Sequence, residues 1–338
     1  MARITTSMAA LLSLAWALPA TALPDAKDLL TEIGFPADAN QQVLDGKFVT
    51  TSLEPTSERE LAMAMAFLVD EPPAVLIEEA KENLVAKVDP DTLANGAISG
   101  SGSLEDFKGV AFGSDAKKQS KSFLTAKPGE DLNLSTAEIG AFAALAKQGG
   151  DTKAVEDQLR KLLLARFQAY HGQGLDGIAP YARSDGKQTD AGGDLRRAVE
   201  AASGLKKNAP DFYDAVLNYP KSRPAGLNED FGWSHYMAHG TPVFLLDHRI
   251  WMADGEAWLM ANRQYYVTAG YNVVQILGAF LPVKNGTLVI YLNRTSTDQV
   301  TGFGSSTKHT MGTKVMTSQI EKLFEKVKAA AEKAAAEK

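Results

Sequence analysis

The sequence predicts an α+β protein: an antiparallel sheet of about six strands around a long C-terminal helix, with a large helical insertion. Three observations carry this. "GKFVTTSL" (46–53) and "ELAMAMAFLV" (60–69) are extended runs joined by the turn "EPTS". Residues 241–296 hold four more such runs, separated by Asp254-Gly255, "TAGY" and Asn285-Gly286; Asp-Gly and Asn-Gly favour two-residue hairpin turns. Near the C-terminus, Met316, Ile320, Leu323, Phe324 and Val327 recur at helical spacing.

The run 60–69 has a helix-forming composition, because alanine, methionine and leucine all favour helices. A helix would scatter Met63 and Phe67. Period-2 alternation instead sorts Leu61, Met63, Met65, Phe67 and Val69 onto one side and the alanines onto the other. The strand reading follows, with a hairpin to 46–53. Pro72 and Pro73 then end the strand and can open a helix.

Residues 1–22 read as a cleavable signal peptide. Arg3 supplies the positive end, residues 8–18 an apolar stretch too short to span a bilayer, and "ATA" (20–22) a small-x-small cleavage site. The mature chain is expected to begin near Leu23. No later stretch is long and apolar enough to predict a membrane span. The chain has no cysteine, so neither disulfides nor lipid acylation of a cysteine is available. The expected location is the periplasm or the medium. A net charge of −6 without a basic stripe argues against nucleic acid as a partner.

Residues 23–330 are expected to form one domain, with 331–338 a helical or frayed tail. The insertion, about 74–225, reads as mainly helical. Ser135 and Glu138 make a capping box. Val155, Leu159, Leu162, Leu163, Phe167 and Tyr170 form one apolar stripe on a helix over 151–170. Asp194 is expected to cap a helix ending at Ser203, and Asn208 another with Pro210 in its first turn. "ANGAISGSGS" (94–103) reads as a glycine-rich loop, and 301–313 as a Gly/Ser/Thr loop before the last helix.

This order of hairpin, helices, meander and final helix resembles the START-like, or helix-grip, superfamily of lipid-transfer and polyketide-cyclase-type proteins. "DGKFVTTSLEPTSERELAMAMAFL", "LNEDFGWS" and "VIYLNRTSTDQVTGF" are similar to a family of exported bacterial proteins of unassigned function. The superfamily resemblance implies an apolar ligand held between sheet and C-terminal helix. Met63, Met65 and Phe67 would line that cavity, methionine being an adaptable lining residue.

Phe244, Leu246, His248 and Ile250 share one face of their strand and are expected to line the same cavity. His248 is the one titratable group on that face and could orient a polar head or pair within a core. Arg263, with Tyr265, could bind a carboxylate or phosphate, or pair with an acid of the helical insertion; Arg294 is a weaker candidate for the same role. Gln275 is the one polar residue in "VVQILGAF". His235 and His239 lie at i, i+4 as metal ligands can on a helix, but Tyr236 stands where the zincin motif needs glutamate. No metal and no cofactor is expected. The sequence therefore suggests a periplasmic carrier of a hydrophobic, lipid-like molecule. The alternatives are a cyclase- or hydrolase-like enzyme using His248, Tyr265 and Arg263, and an envelope protein-interaction module.

Overall fold

The computed structural model describes residues 23–81, 87–129, 131–238, 241–302 and 304–336. The expected signal peptide and His239 lie outside them. The protein is α+β. Its centre is one antiparallel sheet of eight strands: β1 (Val49–Ser52), β2 (Glu60–Val69), β3 (Thr92–Ile98), β6 (Asn228–Ala238), β7 (Thr241–Asp254), β8 (Ala257–Val267), β9 (Val273–Val283) and β10 (Gly286–Ser296). Their order across the sheet is β1-β2-β10-β9-β8-β7-β6-β3. A separate two-residue pair, β4 (Tyr181–Ala182) with β5 (Gln188–Thr189), sits in the helical region.

Residues 60–69 are a strand, and they pair with both β1 and β10. Two strands exceed the six expected. Residues 92–98 form an edge strand where a loop was expected, and 228–238 add a fifth strand to the meander. Glycine hid the first of these. Gly96 lies flat against the Trp233 indole, where an added Cβ would come within 2.6 Å of the ring nitrogen. Here glycine marks a close approach inside a strand rather than a turn.

One sheet face is covered by helices α1 (Ala26–Ile33), α2 (Ala39–Leu44), α4 (Ala116–Leu124), α5 (Thr136–Lys147), α6 (Thr152–Gln173), α7 (Ala191–Glu200), α8 (Ser203–Asn208) and α9 (Pro210–Leu217). The expected apolar stripe of α6 is wholly buried in this layer. The Ser135–Glu138 capping box forms, and Glu138 also takes a two-pronged bond from the buried Arg166. Two expected caps are corrected. Asp190, not Asp194, caps α7; Asp194 lies inside that helix and accepts from Arg59, Arg197 and Ser296. Ala209, not Asn208, precedes Pro210 at the start of α9.

The opposite face carries α3 (Pro73–Lys81) and α10 (Ser305–Ala336). Helix α10 starts earlier than expected, within the predicted 301–313 loop, and runs into the predicted tail. Met316, Ile320 and Phe324 pack on Met63, Met65, Phe67, Val289 and Tyr291. The final helix therefore grips the sheet over β2 and β10, as expected. Among the described residues, no helix is long and apolar enough to cross a membrane.

Candidate functional site

The register across the sheet assigns every candidate residue to a face. Met63, Met65 and Phe67 point toward α10. They are 1%, 0% and 3% exposed; Phe67 stacks on Phe48 with ring centroids 4.9 Å apart and meets the tilted ring of Phe324 at 5.1 Å. Phe244, Leu246, His248, Ile250, Arg263, Tyr265 and Gln275 point the other way, into the helical layer. The single cavity expected from sequence, lined by both sets, is thus not formed: alternation along each strand is reliable, but it does not say which face of one strand matches which face of another.

The second set builds a buried polar chain instead. The Arg263 guanidinium donates to Gln275 Oε1 at 2.9 Å, Tyr170 Oη at 3.0 Å and the Val216 carbonyl at 2.7 Å. Tyr170 Oη lies 2.8 Å from His248 Nδ1, and His248 Nε2 lies 3.2 Å from Glu229 Oε2. Arg223 reaches Glu229 from the surface at 2.7 Å. Burial pushes His248 down to about 4, against the upward pull of Glu229. The neutral imidazole then fits one proton inventory: Arg263 donates to Tyr170, Tyr170 to Nδ1, and Nε2–H to Glu229. Burial acts to raise Glu229, but the bonds from His248 and Arg223 outweigh it and hold the carboxyl low.

Tyr170 completes this chain. It comes from the helical insertion, and nothing in its stripe position marks it as more than core. Tyr265, the expected partner, stacks on the Tyr170 ring at 4.0 Å, and its own hydroxyl is buried without a hydrogen bond. A register shift in β7–β8 brings Tyr265 and Tyr266 onto one side together. Because His248, Arg263, Gln275 and Tyr170 are all at most 1% exposed, the chain fastens α6 and α9 to the sheet and offers no open approach to a substrate. Arg294 is also occupied, pairing with Glu60 at 2.8 Å.

His235 lies on strand β6, not on a helix. It stacks on Phe244 at 4.1 Å, its Nε2 has no hydrogen-bond partner, and burial pushes it down to about 4. Among the described residues, no group of three or more metal-ligating side chains is assembled.

The half-covered part of the molecule lies on the α10 side. On that face, Trp258 and Met260 of β8 and Ile276, Gly278 and Phe280 of β9 are each only partly buried. On the reverse face of the same strands, Leu259, Ala261, Arg263, Gln275 and Leu277 are buried. This partly buried strip lies beside α3, which contacts both β8 and β9. Gly278 sits at its centre, in register with Met260 on one side and Tyr291 on the other, so its floor lacks a side chain there. Ile276 and Phe280 connect the strip to the residues under α10. At one end lie Arg249, bonded to Asp230 at 2.7 Å, and Asn262 opposite it. A separate open cleft of about 530 Å³ lies at the β4–β5 pair, lined in part by Lys127, Arg183 and Lys187. Arg183 is already committed there to Asp298, Asn133 and Asn272.

No protein-family model, curated protein or solved structure matches this chain.

Proposed function

We propose that the protein is an exported carrier of a hydrophobic, lipid-like small molecule. The ligand lies on the sheet face between α3 and α10. One observation carries the reading: Trp258, Met260, Ile276 and Phe280 form a continuous apolar strip that the fold leaves half covered, while Leu259, Ala261, Leu277 and Leu281 on the reverse face of the same strands are buried. Contiguous apolar surface of this kind is what a small hydrophobic ligand covers. In helix-grip proteins, which the order of elements resembles, an apolar ligand would lie on the same side of the sheet, facing the final helix. Met63, Met65 and Phe67 support the strip from beneath α10 rather than lying open to it.

Export is part of the proposal. The Leu23 backbone nitrogen donates to Asp254 Oδ2 at 2.8 Å, and the Leu23 side chain packs against two core clusters. Cleavage after Ala22 would turn that nitrogen into an ammonium and the bond into a charge-assisted one. Purification from the host periplasm, then solvent extraction and mass spectrometry, tests both parts. The reading expects a chain starting at Leu23 with a stoichiometric apolar compound. An intact N-terminus contradicts export. An extract no richer than that of a control protein, followed by failure to bind any apolar dye, contradicts carriage.

A further inference from the structure

We propose that the ligand of this face is an uncharged amphiphile whose head group is a hydroxyl, seated between Trp251 and Asn262. The inference rests on the carrier reading and specifies its ligand. Trp251 of β7 is 7% exposed, and its indole nitrogen is buried with no hydrogen-bond partner. The side-chain oxygen of Asn262, on β8, is likewise buried and unpartnered. Trp251 stands opposite Met260 and Asn262 opposite Arg249. The two are therefore diagonal neighbours on adjacent strands and the same face, a separation of roughly 7–8 Å between backbones that long side chains bridge.

An idle donor and an idle acceptor so placed ask for one group that does both jobs. A hydroxyl accepts from the indole N–H and donates to the amide oxygen. A carboxylate could take the indole proton but has nothing to give Asn262. An ammonium could serve Asn262 but leaves the indole unpaired. Two ion pairs beside the spot are already made. Arg249 is bonded to Asp230 at 2.7 Å, and Lys81 to Glu78 at 2.5 Å. Lys81, the last residue of α3, lies over this spot. Lys81 Nζ lies 5.5 and 5.6 Å from the ring centroids of Trp251 and Trp258, and this side chain is 28% exposed. A flexible lysine stem can swing aside where a packed helix could not. From that end, the ligand's chain runs along Trp258, Met260, Ile276 and Phe280 toward α10.

The test is displacement of diphenylhexatriene, an uncharged apolar dye, from the purified protein by 1-decanol, 1-methoxydecane and decanoate. Decanol is expected to displace the dye at about fivefold to tenfold lower concentration than the other two, the worth of one or two well-made hydrogen bonds. Asn262→Leu should erase most of that advantage and leave displacement by 1-methoxydecane unchanged, whereas Trp251→Phe should weaken decanol and 1-methoxydecane alike, because an ether oxygen also accepts from the indole. Equal potency of the three compounds on the parent protein overturns the hydroxyl assignment. So does a loss in Asn262→Leu that falls on all three compounds alike. If the dye binds but none of the three displaces it, the hydroxyl assignment also fails. If the dye itself does not bind, the carrier reading fails with it.

Discussion

Arg263 holds a full charge at 1% exposure and meets no carboxylate directly. Its charge is balanced at one remove, through Tyr170 and His248 to Glu229. Such a group is costly to bury and costlier to lose, because its three acceptors would remain inside without donors. Arg263→Met should lower unfolding free energy by about 3 kcal/mol, measured by urea denaturation. Arg263→Lys should recover only part of it, since an ammonium lacks the planar fork. Position could be read from sequence here and partnership could not. Alternation put His248 and Arg263 on buried faces, but their link runs through Tyr170, 78 and 93 residues away in the chain.

His235 gives a pH prediction with a definite sign. Its folded value lies near 4, below the unfolded 6.5. As pH falls through 6.5, the unfolded chain takes the proton first. The stability tied to this group is therefore present above pH 6.5 and is lost between 6.5 and 4. His248 follows the same course. Asp247, raised to about 6 by burial, works in the opposite direction over the lower part of that window. Single-site comparison removes the overlap. His235→Phe keeps the stack on Phe244 and should leave stability near the parent at pH 7. At pH 4.5 it should exceed the parent by about 2 kcal/mol, read from paired urea titrations.

At the scale of elements, the alternation in β2 is the feature the fold uses most. Its alanines face α2, where Ala64 and Ala66 are completely buried against Ala39 and Val43. Its large residues face α10. Enlarging the small side should cost more than reshaping the large one. Ala64→Leu is expected to destabilise by about 1–3 kcal/mol, while Met65→Leu stays within about 1.5 kcal/mol, as judged by thermal midpoints. Helical propensity pulls against the strand, and pairing on both edges overrides it. The same override explains the missed strands. β3 carries glycine because Trp233 needs the room, and β6 carries few β-branched residues, yet each is held by antiparallel partners. Edge β3 should tolerate little at its one close approach. Gly96→Ala is expected to displace the Trp233 indole and break its bond to the Asp106 carbonyl, now 2.9 Å. A shift in tryptophan emission would report it.

For the whole molecule, one sheet divides two tasks. The helical side is a continuous core stiffened by a buried polar chain. The α10 side is a grip that leaves a strip of β8 and β9 half covered. The sequence announced the sheet, the final helix and the stripe of large residues on β2 that faces that helix. It could not say that the meander's polar candidates face away from that helix, because facing is settled by register between strands far apart in the chain. The strip itself had little signal, since Trp258, Met260 and Ile276 look like core in any one strand. Only comparison of the two faces of the folded sheet sets them apart.

The most direct test uses the tryptophans. In a Trp233→Phe protein beginning at Leu23, all indole emission comes from Trp251 and Trp258, both on the α10 side. Titration with a bromine-labelled long-chain alcohol should quench that emission saturably, near one ligand per chain. Quenching that stays linear with concentration, or is absent, would contradict a ligand on this face.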